Sequence, residues 1–499
     1  FEGNSNFFIP QDSRIKTEFT IPNSELNGAI DGQLVVVELI RWRNERPLGR
    51  VKRILGEVGE HQAEMHAILL EFGLSETFPQ EIEAEAKQWP ETLDAQEVAK
   101  RRDFRPITTF TIDPDDAKDF DDALSLRRLD NGNWEVGVHI ADVSYYVRPN
   151  TLLDQEAYDR GTSVYLVDRT VPMLPEYLSN NLCSLVPHKD RFTFSAVFEL
   201  DENAQIQNEW FGRTVIHSDQ RFTYADAQHR LETGEGNLAE EVLTLNKLAY
   251  ALRDRRFAEG SISFEQPELR FRLDDNGKPL EVVPKERQDA HKLIEDFMLL
   301  ANRRVARFVH NAKKQPRQPF VYRIHDKPDA ERLQNFGQFA ANFGYELRLK
   351  DPKQVPGQLN SLTSELEGRP EQRILQSLAI RTMAKAEYNP QNIGHYGLGF
   401  DFYAHFTSPI RRYPDLLVHR ILQDTLDKKT TYSLPDLERQ TKHCSERERH
   451  AVEAERNSVK YKQMEFLQAL LGKEQTGLIS GLTTWGMYVE LDGNLCEGM

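Results

Sequence analysis

Apolar and polar positions alternate in two different rhythms along the chain. The first stretch is strand-like: Gly32–Arg41 (GQLVVVELIR) and Gly49–Gly56 (GRVKRILG) are β-branched runs bounded by glycine, which predicts short strands of a small β-barrel over residues 1–85. Gln80–Lys100 is acidic with helical spacing and reads as a linker, with residues 86–104 joining the barrel to a larger domain. From residue 105 a long mixed region opens with strands such as Trp134–Ile140 (WEVGVHI) and continues into helices. Ala290–Phe308 places Leu293, Ile294, Phe297, Met298 and Ala301 on one helical face. Residues 435–470 predict a long polar helix, and Gly477–Leu491 two glycine-bearing strands that begin a second barrel over 471–499. The expected fold class is therefore an α/β (α+β) domain at 105–470 flanked by small β-barrels.

Composition changes this picture little. The 499 residues are 39% hydrophobic and 28% charged, a soluble globular balance. No apolar run approaches the ~18 residues of a membrane span, and no membrane association is expected. Cys183, Cys444 and Cys496 lie far apart without a C-x-x-C pair, which suits reduced thiols and a cytoplasmic location. The chain begins at Phe1, so a trimmed or processed N-terminus is expected.

Charge raises a difficulty. A net −16 opposes a nucleic-acid partner, since phosphate binding is driven by Lys and Arg. Basic residues nevertheless gather at 41–53 and again from Arg303 through Lys314 to Arg323. In the first stretch Phe7, Phe8 and Trp42 interleave with Arg41 and Arg43, a pattern on which single strands stack and which equally fits barrel core.

The most informative segment is Thr111–Ala123 (TIDPDDAKDFDDA), with six aspartates in ten positions after a β-type approach. An acidic surface loop is one reading. A calcium loop fails on spacing, because Ala117 stands where a ligand is needed and the turn glycine and terminal Glu are missing. Aspartates this dense repel one another unless cations neutralise them. Asp119 and Asp121 share a face of an extended segment, and Asp113 and Asp122 close the group if Pro114 begins a turn. Hard carboxylate oxygens suit Mg²⁺ or Mn²⁺ and the in-line displacement of a phosphate.

The same segment resembles the acidic signature of the ribonuclease II/R family, T-I-D followed by D-[FM]-D-D-A. Further matches occur in family order: His139–Val147 (HIADVSYYV), Gly161–Leu166 (GTSVYL), Val171–Glu176 (VPMLPE), Leu178–Leu185 (LSNNLCSL), Gly260–Glu265 (GSISFE), Arg323–Pro328 (RIHDKP) and Tyr403–Leu416 (YAHFTSPIRRYPDL). The ordered set covers roughly residues 105–460. Its last two members lean towards the ribonuclease R branch.

The resemblance implies an RNB catalytic domain between a cold-shock/OB-like barrel and the start of an S1-like one. It also implies processive 3′-to-5′ hydrolysis of RNA to nucleoside 5′-monophosphates. The implied substrates are single-stranded 3′ ends and structured RNA with a 3′ overhang, and a monomer is expected. Asp113, Asp119, Asp121 and Asp122 match the aspartates that hold Mg²⁺ (or Mn²⁺) and the scissile phosphate. Arg411 matches the catalytic arginine, with Arg412 either an RNA contact or a structural ion-pair former. Tyr165 and Phe264 match aromatics that stack on bases, Glu295 a ribose contact, and Glu455 a carboxylate near the substrate, with Glu448 as its alternative. His139 and His405 read as structural. Two other readings remain: a catalytically silent RNA-binding regulator on the same scaffold, and a metal-dependent DNA exonuclease of unrelated fold.

Overall fold

The computed structural model describes residues 6–11, 15–42, 47–263, 268–274, 277–285, 287–312 and 319–499. Near the N-terminus, Asn6–Phe8, Phe19–Ile21, Leu48–Glu57 and Gln33–Arg41 lie side by side in that order in one sheet. The long hairpin made by the last two slips register at Leu34/Val35, Val36/Val37 and Leu39/Arg41. Such bulges sharpen the twist and let a short sheet curl. Phe8 packs edge-on against Phe19, whereas Trp42 stands 61% exposed.

Helix His61–Glu71 then seats this unit on the rest of the chain. Its Met65 and Leu69 share a core with Val164, Leu166 and Val171 of a small hairpin and with Ala451 and Ala454 of the long helix. The segment expected as a linker is helical at Gln80–Ala86 and Ala95–Val98, but it packs: Ile82 and Ala86 belong to the main core. Apolar residues one turn apart gave that acidic stretch a buried face.

A seven-stranded sheet forms the centre. Its order is Gln220–Thr223, Thr109–Asp113, Asp122–Arg128, Trp134–Ala141, Asp190–Leu200, Ile206–His217 and Arg102–Asp103. The inner pairs are antiparallel and the two edge strands pair in parallel. Asp190–Leu200 is buried on both faces almost throughout, so it reads as an apolar run rather than an alternation. Helix Asp289–Asn311 lays Leu293, Phe297, Leu300 and Ala301 into the same core. Helices Ala330–Ala341, Val355–Glu365 and Gln372–Arg381 form a satellite with its own core around Phe336, Leu359 and Leu375. The long polar helix runs Leu434–Gln468, and Gly477–Thr483, Gly486–Leu491 and Glu497–Gly498 make a three-stranded sheet. Among the described residues no helix is long and apolar enough to cross a membrane.

Sheet geometry fixes where the acids meet. Asp113 ends one strand and Asp122 opens its antiparallel neighbour, so both stand at the same end of the sheet.

Candidate active site

Residues 114–121 leave the sheet, turn, and return. The turn closes with the Ala117 amide donating to the Pro114 carbonyl at 3.2 Å. The return is pinned by side chains distant in sequence. Ser184 Oγ donates to the Lys118 carbonyl (2.6 Å) and accepts from the Phe120 amide (3.0 Å), and the Leu185 amide donates to the Phe120 carbonyl (3.0 Å). The Ala141 amide donates to the Asp121 carbonyl at 2.8 Å. Asp119 and Asp121 therefore lie on a braced segment just outside the ladder, and the strand starts at Asp122.

Asp113 and Asp121 are buried, Asp119 and Asp122 half-buried, and Asp115 and Asp116 exposed. Burial raises the proton affinity of all four enclosed carboxylates above the ordinary range, because a charge loses its hydration there. At Asp113 the like charge of Asp122 adds to the rise. Arg411 opposes it at Asp119, Asp121 and Asp122.

Arg411 reaches the cluster from the opposite wall. Its Nε lies 3.7 Å from Asp121 Oδ2, and its Nη2 donates to Ser408 Oγ at 3.1 Å. The Ile410 amide donates to Asp121 Oδ1 at 2.9 Å, so the Ser408–Arg411 backbone is tied to the acid it faces. The segment is fixed on three further sides. The Ser163 amide and Thr162 hydroxyl donate to the Arg411 carbonyl (2.9 and 3.0 Å), and Asn302 Oδ1 accepts from the Phe406 amide (2.7 Å). Helix Tyr413–Leu426 then begins with Pro414 in its first turn and Asp415 beside it, as the sequence predicts.

Arg412 turns away from this wall and pairs with fully buried Asp415 at 2.8 Å. Of its two readings, that contact supports the structural one. Tyr165 stands on the two-residue strand Val164–Tyr165 with 39% of its surface exposed. The surrounding walls push its hydroxyl up to about 12, with Asp119 and Asp121 adding to the rise and Arg411 opposing it, which places the ring beside the acids. Glu295 lies on helix Asp289–Asn311 and pairs with Arg287. Glu455 is exposed on the long helix, one turn before Ser458, whose hydroxyl accepts from the Val167 amide of the loop after Tyr165. Its alternative Glu448 is engaged by Arg323 at 2.7 Å. Phe264 lies outside the described residues.

His139 is enclosed between Ser195 (2.7 Å) and Ser125 (2.8 Å) and is held down to about 3 by burial, so it serves the core. His405 is equally enclosed against Tyr388. Two residues at the site carried no signal in the sequence. Arg221 donates to backbone carbonyls of the acidic loop. Tyr224 stacks on His291 with centroids 3.9 Å apart, and burial together with Asp122 and Asp113 raises its hydroxyl pKa.

The donor set fits a hard divalent cation by chemistry. Four carboxylates are enclosed together, neighbouring aspartates raise the proton affinity of Asp113 and Asp121, and Asp113 Oδ2 is buried without a hydrogen-bond partner. Among the described residues, however, no three His, Cys, Asp or Glu side chains already converge at ion-holding separations. Uncompensated like charges turn apart, and Asp121 is drawn to Ile410 and Arg411.

Comparison with known proteins identifies the fold and the family. Residues 101–428 match the RNB domain family and residues 7–79 the cold shock domain. Ribonuclease R of Aquifex aeolicus is 36% identical over the whole chain, which spans 72% of that protein. Ribonuclease R 1 of Lactococcus lactis is 39% identical over 90% of the chain, which spans 56% of it. The solved structure of Mycoplasma genitalium RNase R in complex with ribose-methylated single-stranded RNA superposes with a TM-score of 0.89 at 26% identity, covering 99% of this chain and 81% of that one. An RNB domain behind a cold shock domain, with relatives of that name at this identity, means that the chain belongs to the ribonuclease R family of RNB-domain exoribonucleases.

Proposed function

We propose that the chain removes nucleotides from the 3′ end of RNA by metal-assisted hydrolysis, releasing nucleoside 5′-monophosphates processively. The observation that carries this reading is the facing pair of walls: four enclosed carboxylates on a braced loop and the strand ends that flank it, and Arg411 fixed 3.7 Å from Asp121 across from them. Asp113, Asp119, Asp121 and Asp122 would hold Mg²⁺ or Mn²⁺. When bound, such an ion supplies a nucleophile near neutral pH and offsets phosphate charge. Arg411 offers two parallel donors to a phosphate and counters the charge that develops as the bond breaks. Its backbone tethers keep that aim without reorganisation. Tyr165, and Phe264 by resemblance, stack on bases. Glu295 and Glu455 contact the sugar and the substrate end, and a part for Arg412 lies in holding its neighbour. Single-stranded 3′ ends and structured RNA with a 3′ overhang are the substrates of this reading, acted on by a monomer in the cytoplasm.

The silent RNA-binding scaffold is favoured by one observation, the acids that do not yet converge. Matched RNA and DNA oligomers incubated with Mg²⁺, with products separated by chromatography, test the two. A hydrolase of this kind yields 5′-monophosphates from RNA alone, and loses all products when EDTA is added. RNA that is bound and never shortened under Mg²⁺ or Mn²⁺ supports the silent scaffold.

A further inference from the structure

The loop from Asp113 to Asp122 is braced on its far side by one residue more than a hundred positions away. Arg221 sits on the edge strand Gln220–Thr223, which runs parallel to Thr109–Asp113 with Thr223 in register with Asp113. Its Nη2 donates to two successive carbonyls, those of Pro114 (2.5 Å) and Asp115 (3.0 Å). Its guanidinium carbon lies 5.5 Å from the Phe120 ring, between Asp119 and Asp121 in sequence. Its Nε is buried without a hydrogen-bond partner. One guanidinium thus touches both halves of the loop, while Ser184 holds the opposite side at Lys118 and Phe120.

We propose that Arg221 is a positioning residue of the acidic site: by bracing the Pro114–Asp115 backbone from the neighbouring strand, it sets the spacing between Asp113 and the Asp119–Asp122 group, the residues that would hold a divalent cation. The inference rests on the metal site proposed above.

Two effects of Arg221 on a cation have opposite signs. As a charge it repels the ion and weakens binding. As a brace it keeps the carboxylates within reach of one ion and strengthens binding. Lysine preserves the charge and much of the stem but not the planar fork, and glutamine removes the charge. If the brace dominates, both substitutions weaken binding. If only charge matters, lysine is neutral and only glutamine changes binding, because the charge it removes both repels the ion and helps keep Asp113 ionised.

The test is direct titration of Mn²⁺, read as loss of the free-ion electron paramagnetic resonance signal, on the whole chain and its Arg221→Lys, Arg221→Gln and Ser184→Ala variants. Thermal melting of each confirms folding. Residues that orient metal ligands from behind typically change affinity by about 10–100-fold, and a weakening of at least ~10-fold is expected for both Arg221 variants. Ser184→Ala should move the same way. Should Arg221→Gln fail to fold, Arg221→Lys carries the test. Unchanged or tighter binding in the Arg221 variants overturns the proposal while leaving the metal site standing. Failure of the parent chain to bind Mn²⁺ in a manner sensitive to Asp121→Asn overturns the metal site, and this proposal with it.

Discussion

Replacing Asp415 by asparagine should loosen the wall that carries Arg411 without touching the acids. Asp415 is fully buried in the first turn of helix Tyr413–Leu426 and accepts from the Ser408 amide and from Arg412 Nη2, both at 2.8 Å. Asparagine keeps its shape and one acceptor oxygen, so the Ser408 bond survives. The substitution removes the charge opposite Arg412, whose side chain is only 17% exposed. Breaking a buried pair by removing one partner costs about 3–5 kcal/mol, because the other charge stays behind. Since Arg412 keeps some access to water, the lower end, about 3 kcal/mol, applies. The matched domain runs over residues 101–428. At a typical entropy per residue such a domain unfolds with about 0.7 kcal/mol per kelvin, so Tm should fall by about 4 °C. Activity should suffer more. Ser408 and Ile410 sit on the segment that aims Arg411, and a displacement of about 1 Å in a positioned group can cost ~100-fold in rate. Calorimetry and single-turnover cleavage of a labelled RNA measure the two effects separately. An unchanged Tm with full rate would refute the role given to the pair. A lowered Tm with full rate would show that Arg411 is aimed by its other tethers, at Ser163, Thr162 and Asp121, without the pair.

The same geometry sets other outcomes. Arg411→Ala should lower the single-turnover rate by ~10²–10³-fold while RNA affinity changes little; equal losses in both would make it a binding residue only. Tyr165→Ala should weaken the hold on a short RNA by about 1–3 kcal/mol, the usual worth of one base stacked on an aromatic ring, and an unchanged Kd in a filter-binding assay would return the ring to a structural role. Acid should unfold the protein through its buried histidines. His139, His395 and His419 are held down to about 3, 3 and 4 by burial, against an ordinary value near 6.5. Below that value the unfolded chain takes up protons that the folded one refuses, so stability is complete above about pH 6.5 and is lost as pH falls towards 3. The enclosed carboxylates act with the opposite sign, their raised proton affinity favouring the fold as pH drops. Melting curves of the Asp122→Asn variant lessen that opposing contribution, and a flat Tm from pH 7 to 4 would contradict the histidine assignment.

Much of the site was legible because its chemistry is local. Asp113 and Asp122 are nine positions apart, and the sheet needs only one turn to bring them to the same end. Pro414 and Asp415 announced a helix start, and it is there. The helix at 289–311 followed from apolar spacing, which a buried face dictates whatever its partner. What stayed hidden depends on contacts across long separations. Ser184 is 66 positions from Lys118, and Arg221 is 107 from Pro114. Their roles lie in backbone hydrogen bonds that no spacing encodes. Tyr224 starts a helix, and its place beside the acids comes from parallel pairing of the edge strand before it. The acidic stretch after the barrel misled because charge outweighed Ile82 and Ala86 in composition, although those two residues decide how it packs. Net charge was a poor guide in the same way, since a sum over the chain does not show that Arg411 faces the acids.

The most direct test of the central claim uses a 5′-labelled single-stranded RNA with Mg²⁺, comparing the parent chain with its Asp121→Asn variant and resolving products by length. Mononucleotides and one short terminal fragment are predicted from the parent, with few intermediate lengths. From the variant, intact RNA that is still bound is predicted. A parent that binds the RNA yet never shortens it, or a variant that cleaves as fast as the parent, would contradict the assignment of a hydrolytic metal site to these aspartates.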